Sequence, residues 1–271
     1  MLTLVNEQAT ADILPDLGAS LLGFRVGGVD VLRRGTPDSA DPRTMGSFVM
    51  APYCGRVERG VFDFDGVRVE LARNVEGETH PLHGDAWLSR WEVESVEDST
   101  ATLTMTHPAN SWPWRYRTGQ RFVLEPERLT VELSITNLSS TDMPYGLGFH
   151  PYFARPARLS ATVDGLWDGE DLLPDQWSEH DALRNVDIDT LIMDRTFTGW
   201  DGRAVLETDF GRVTVQSDLR NLHLFSPRGR NVFSVEPVTA APDAPNHPDR
   251  GLRRLAPGET GSSWMRIALG G

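Results

Sequence analysis

Five short clusters in this chain bring together side chains that can move protons or bind hydroxyl groups, most of them beside a Gly or Pro where a strand would end. They are Cys54-Gly55-Arg56-Val57-Glu58-Arg59-Gly60, His80-Pro81-Leu82-His83-Gly84-Asp85, Gly148-Phe149-His150-Pro151-Tyr152-Phe153, Leu191 to Trp200 around Asp194, and Ser234-Val235-Glu236-Pro237 leading to Pro242-Asp243-Ala244-Pro245-Asn246. A histidine, with an unperturbed pKa of about 6.5, can hold and release a proton near neutrality. A carboxylate can take one, so a His with a Glu is the minimum set for acid–base chemistry. Each residue also fits a duller role when taken singly. His83 and His150 could be hydrogen-bonded structural residues, Glu236 a solvent-facing strand residue, Asp194 a turn residue and Arg56 a surface cation. The spacing His80-Pro81-Leu82-His83 matches no zinc signature, so no metal is expected.

Composition closes several other chemistries. All 26 basic residues are arginine, which excludes a lysine Schiff base, lysine-held pyridoxal phosphate and a P-loop lysine. The single cysteine, Cys54, excludes an intramolecular disulfide and a CxxC pair, and is expected to be a small buried residue. A net charge of -13 disfavours nucleic acid and anionic membranes as partners. The chain shows neither an apolar stretch long enough to cross a bilayer nor a secretory signal, so a cytoplasmic protein is expected.

The elements that must position these clusters read as strands. Leu21–Val26 and Val29–Leu32 flank Gly27-Gly28, and Phe62–Phe64 and Val67–Leu71 flank Asp65-Gly66, both patterns of tight hairpins. Arg121–Leu124 turns at Glu125-Pro126-Glu127 into Leu129–Thr136, which alternates apolar and polar residues as a half-buried strand does. Ala101–Thr106 and Arg212–Gln216 repeat the theme. The 25 glycines and 18 prolines disfavour long helices, and Ala182 to Met193 is the nearest thing to a helical stripe. Many short strands without a linker or repeat predict one all-β domain over residues 1–271, a large antiparallel β-sandwich or barrel.

Taken in order, the clusters resemble those of the aldose 1-epimerase (galactose mutarotase) family. Arg56-Val57-Glu58-Arg59-Gly60-Val61-Phe62 is similar to that family's Asn-Arg-Ile…Gly…Phe, and Leu82-His83-Gly84 to its Leu-His-Gly-Gly. His150-Pro151-Tyr152-Phe153 is similar to its His…Tyr-Phe/Trp, Asp194-Arg195-Thr196-Phe197 to its Asp…Phe, and Glu236 with Pro242-Asp243-Ala244-Pro245-Asn246 to its closing Glu…Pro-Asp-Ala…Asn. Each motif is weak alone, but five in order are hard to obtain by chance. The chain departs from the pattern at Gly55 (for Asn), at Asp85 (for the second Gly), at Pro151, and at Pro237-Val238 (for Thr-Gln), which leaves the substrate open.

The resemblance implies a galactose mutarotase-like supersandwich that exchanges the anomers of an aldose without a cofactor. It implies Glu236 as the base at O1, His150 as the acid at O5, and Arg56, His83 and Asp194 as partners of the sugar hydroxyls. Trp87 or Trp200 could wall the sugar's C–H face. A hexose-6-phosphate 1-epimerase is the alternative, with Arg59, Arg115 and Arg117 as candidates for the extra rim cations it would need. A sugar-binding module without catalysis is a third reading. A monomer or homodimer acting on a monosaccharide is expected.

Overall fold

The computed structural model describes residues 1–169 and 172–270. Two large antiparallel sheets carry the fold. One has eleven strands and the other nine, with two further two-stranded ribbons. Helix is confined, among the described residues, to three-residue turns such as Ala86–Leu88 and Pro248–Arg250. No helix among those residues is long and apolar enough to cross a membrane.

The predicted hairpins form with two-residue turns. Val26 pairs with Val29, Phe64 with Val67, and Glu125 with Arg128. Ala182 to Met193 is not helical. It holds the strand Leu183–Asp187, paired to Ala157–Ala161, and a turn that leads into the strand Met193–Thr198. Only Leu183 of that first strand is buried, so the apolar residues that hint at a helical stripe never act as one face.

The strands Ser47–Met50, Gly148–Ala154, Val232–Val238, Asn221–Ser226 and Met193–Thr198 lie side by side in the larger sheet. Because successive side chains point to opposite faces, each strand sorts its residues between two environments. Val49, Phe149, Phe153, Phe233, Val235, Leu222, Leu224 and Phe197 join the main core between the sheets, with Phe122, Val131 and Leu133 of the smaller sheet. Phe48, Met50, Tyr152 and Val238 face the other way and form a second cluster with Cys54, Leu82 and Trp87. The segment from Ala51 to Trp91 therefore roofs the outer face of the sheet, and this explains why the first three of these strands are buried on both sides.

Candidate active site

Register sets the site. His150 pairs with Phe48, Glu236 with His223, and His223 with Thr196. Pairing of Gly148 with Val238 and of Tyr152 with Ser234 puts His150 opposite Glu236 between them. Phe48, His150, Glu236, His223 and Thr196 thus form one row across five strands, on the face turned away from the main core. Asp194 joins the same face two residues before Thr196. Pro151 and Pro237 remove two backbone donors from the ladder beside this row.

The roof supplies the other groups. Antiparallel bridging of Arg56 with Leu82 and parallel bridging of Ala51 with Gly84 bring both loop clusters over the sheet. Asn74 clamps the second one. Its side-chain amide donates to the carbonyls of Leu82 (2.7 Å) and Gly84 (2.8 Å) and accepts from the Leu82 N–H (2.8 Å). The family-like Pro-Asp-Ala…Asn segment is architectural. Asp243 accepts from the Glu58 N–H (2.9 Å), and the Asn246 amide donates to Asp243 (2.8 Å) and to the Val61 carbonyl (2.9 Å), tying this loop to the Arg56 loop. Asp85, the departure from the family's second Gly, also has a structural job: it accepts from the Tyr116 hydroxyl and lies 2.5 Å from His107 Nδ1, holding the roof to the smaller sheet.

Between roof and sheet lies an open cavity. All five residues expected from the sequence line it: Arg56, His83, His150, Asp194 and Glu236. The Trp87 and Trp200 walls are not there. Trp87 packs behind Phe48, its indole N–H committed to the Gly84 carbonyl, and Trp200 belongs to the main core. The aromatic lining is Phe48, Tyr152 and Phe225 instead. Arg59, Arg115 and Arg117 do not line the cavity either. Arg59 is an exposed neighbour of Glu58, and Arg117 pairs with Glu94 on the smaller sheet.

At the centre, His150 Nε2 stands 3.1 Å from Glu236 Oε1. The two are off the line of a hydrogen bond, so Oε1 is a buried acceptor with no protein partner among the described residues although an imidazole is beside it. The other imidazole nitrogen is fixed. The Ser234 hydroxyl donates to the Pro151 carbonyl (2.6 Å), so its oxygen is left to accept from His150 Nδ1–H at 3.1 Å. Nε2 is thereby the nitrogen free to work. Phe48 stacks on the ring at 4.4 Å and Tyr152 lies 4.6 Å away, which holds its plane. Burial pushes the Glu236 carboxyl up to about 8, against the opposing charge of His223. Burial also drives His150 well below its usual value. Both neutral forms are favoured, and the resting pair holds one proton, on the glutamate.

His83 is neutral for the same reason, burial first and the neighbouring His150 second. Its Nδ1 accepts from the Gly55 N–H at 3.1 Å, so the proton sits on Nε2 and the ring is a donor. Asp194 accepts from His223 Nε2 at 2.9 Å and lies 3.6 Å from Arg56 Nη1. Burial raises its pKa, but the hydrogen bond and charge of His223 outweigh that and keep it a carboxylate. His223 is the residue sequence reasoning missed. Its Nδ1 meets Thr196 Oγ1 at 2.8 Å, and although burial opposes its charge, Glu236 and Asp194 hold its pKa up. Cys54 also lines the cavity, but burial pushes its thiol up to about 12, leaving it inert as a nucleophile.

The family model for aldose 1-epimerase matches residues 1–268. The chain belongs to the aldose 1-epimerase family. It is 30% identical over 274 residues to the uncharacterised Escherichia coli K12 protein YphB, covering 94% of this chain and 93% of that one. Among solved structures, a candidate aldose 1-epimerase from Escherichia coli K12 superposes with a TM-score of 0.91 at 29% identity, over 99% of this chain and 98% of that one. A galactose mutarotase-like protein from Clostridium acetobutylicum follows the same fold with a TM-score of 0.88 at 19% identity, over 99% and 94%. The galactose mutarotase-like sandwich expected from the motifs is therefore the fold of this family member.

Proposed function

We propose that this protein interconverts the α and β anomers of a neutral aldose by opening and reclosing its ring at C1, with Glu236 and His150 as the proton-transferring pair. The observation that carries the reading is Glu236 Oε1, a buried acceptor without a protein partner among the described residues, within 3.1 Å of an imidazole nitrogen and at the wall of an open cavity. A buried acceptor without a partner costs stability unless a ligand supplies the donor. A sugar hydroxyl is such a donor.

The exchange needs one group to take the O1 proton and one to give a proton to O5. The C1–O5 bond then breaks as C1=O forms, C1 turns about its bond to C2, and closure on the other face returns both protons. With one titratable proton between them, the pair can present Glu236 as carboxylate and His150 as imidazolium without changing its net charge. His223, directly across the strand pair, pulls the Glu236 pKa down and so favours that carboxylate. His83 Nε2–H, Arg56 and Asp194 offer donors and acceptors for the remaining hydroxyls, which need partners once buried. Phe48, Tyr152 and Phe225 offer apolar surface to the ring's C–H groups. The test is polarimetry on freshly dissolved α-glucose and α-galactose. Approach to equilibrium no faster with protein than without it would sink the reading and leave a sugar-binding module.

The pH profile follows from the shared proton. As pH rises through about 8 the free protein's pair loses that proton, O5 can no longer be protonated, and kcat/KM falls. Only well below the usual histidine range does His150 gain a second proton and close the acid side. The expected profile is a bell with a broad acid shoulder and a basic limb near pH 8. A flat rate from pH 7 to 10 would contradict it.

Charge around the cavity favours a neutral sugar over a phosphosugar. Arg43 is engaged by Asp41 at 2.9 Å, and Arg56 stands between Glu78 (3.5 Å) and Asp194 (3.6 Å), so both lining arginines are already matched by carboxylates. Glucose is accordingly expected to turn over with at least tenfold higher kcat/KM than glucose 6-phosphate, an effect of about 1.4 kcal/mol. Equal or better turnover of the phosphate ester would reverse the assignment.

A further inference from the structure

Both ring nitrogens of His223 are engaged by one strand. Nε2 lies 2.9 Å from Asp194 Oδ1, and Nδ1 lies 2.8 Å from Thr196 Oγ1. These partners are alternate residues of Met193–Thr198, so a single face of that strand clasps the imidazole. On its other side the clasped residue stands directly across the ladder from Glu236. The ring is therefore held in one orientation, beside the carboxyl that is to act as base.

The clasp suits a charged ring. Asp194 stays a carboxylate and can only accept, so the nitrogen that faces it carries a proton. Thr196 is different. Its hydroxyl can accept from Nδ1–H, or rotate and donate to a bare Nδ1. His223 thus keeps two partners whether it carries one proton or two, and the second proton leaves no buried N–H unsatisfied. Thr196 is only 1% exposed, so little water competes for its hydroxyl.

The surrounding charges decide which state is favoured. Glu236 faces the ring from one neighbouring strand and Asp194 from the other. Burial opposes the imidazolium, but these two carboxyls outweigh it, and Arg56 of the roof acts the other way. Arg56 is itself matched by Glu78 (3.5 Å) and Asp194 (3.6 Å). Arg195, next to Asp194, is turned aside to Asp168 and the Gly169 carbonyl. The cavity's other two imidazoles, His83 and His150, are kept neutral by burial. Signs therefore alternate from Glu78 through Arg56, Asp194 and His223, and Glu236 ends the series.

We propose that Thr196 and His223, backed by Asp194, form a positioning unit that keeps a positive charge opposite Glu236 and makes that carboxyl usable as a base. This rests on the reading of Glu236 as the base and adds the residues that tune it. Without a cation opposite, a carboxyl so deeply buried would hold its proton to higher pH.

The experiment follows the Glu236 carboxyl by carbon-13 NMR through neutral and basic pH, its resonance identified by its loss in Glu236→Gln. His223→Gln keeps a donor for Asp194 but carries no charge, and is expected to raise the Glu236 midpoint by about one pH unit. Thr196→Val removes the acceptor for Nδ1–H and is expected to move the midpoint the same way by less. Thr196→Ser should restore it. In each protein the basic limb of kcat/KM for glucose should move with the midpoint. A folded His223→Gln protein with the wild-type midpoint would overturn the unit, since a purely structural His223 would change the melting temperature alone. If His223→Gln does not fold, the threonine variants decide: equal midpoints in Thr196→Val and Thr196→Ser overturn the unit. A wild-type protein that does not speed anomer exchange would strike the function instead, and the carboxyl titration would still decide the unit.

Discussion

Glu236→Gln is expected to lower kcat for anomer exchange by about 10² to 10⁴-fold while the protein stays folded. The amide has nearly the shape of the carboxyl and can still hydrogen-bond a sugar hydroxyl, but it cannot take a proton from O1. Binding should therefore survive better than turnover. Stability should hold or rise, because a carboxyl pushed up to about 8 by burial is costly to ionise there, and the amide carries no such cost. His150→Asn should reduce kcat on a similar scale by removing Nε2, the nitrogen 3.1 Å from Glu236. Polarimetric rates beside thermal melts read both effects. A folded Glu236→Gln protein with the full wild-type rate would end the assignment of Glu236.

Some of this site was legible in the sequence because chemistry and chain breaks coincide there. Arg56, His83, His150, Asp194 and Glu236 each sit in a short motif near Gly, Pro or a turn, and all five line one cavity. His223 carries no such mark. It lies mid-strand between Leu222 and Leu224, in an alternating run that reads as an ordinary half-buried strand. What makes it a site residue is its pairing with Glu236 on one side and Thr196 on the other, and register between distant strands is not written in local spacing. Asn74 was hidden for a related reason. It acts on Leu82 and Gly84 through backbone groups, which leave no trace in side-chain chemistry.

The tryptophans failed as markers in a different way. Trp87 and Trp200 lie beside the His83 and Asp194 motifs in the chain, but a large ring is most stable where it is fully enclosed, and both are. The rings that face the cavity belong to Phe48, Tyr152 and Phe225, which are set there by strand alternation. The all-β fold was more readable. Strand alternation such as that of Tyr116–Glu125, buried at every second residue, and the two-residue hairpin turns are both local signals. The false helical stripe at Ala182–Met193 shows the limit: a few apolar residues at suitable spacing carry no weight when the neighbouring strand Ala157–Ala161 offers a ladder of backbone partners.

Gly84→Ala is expected to cost about 2–4 kcal/mol of stability and to weaken sugar binding, an unusually large effect for adding one methyl group. Gly84 has φ of +73°, a conformation that costs an L-residue roughly 1–2 kcal/mol. Its new Cβ would also lie 2.2 Å from the Ala51 carbonyl oxygen, so backbone must move. That movement reaches the site along two short routes. Ala51 follows directly on the strand that bears Phe48, the ring stacked on His150. On the other side, His83 is itself held at φ of +60° by reciprocal bonds with Gly55, its N–H to the Gly55 carbonyl at 2.9 Å and the Gly55 N–H to its Nδ1 at 3.1 Å. Loosening the turn frees His83 from the contact that keeps its proton on Nε2, and a donor to the sugar is lost. KM should therefore rise more than kcat falls, since the Glu236 and His150 pair rests on sheet strands rather than on this turn. Urea unfolding with steady-state kinetics separates the two effects, and wild-type stability with wild-type KM would show that the roof does not position His83 in this way.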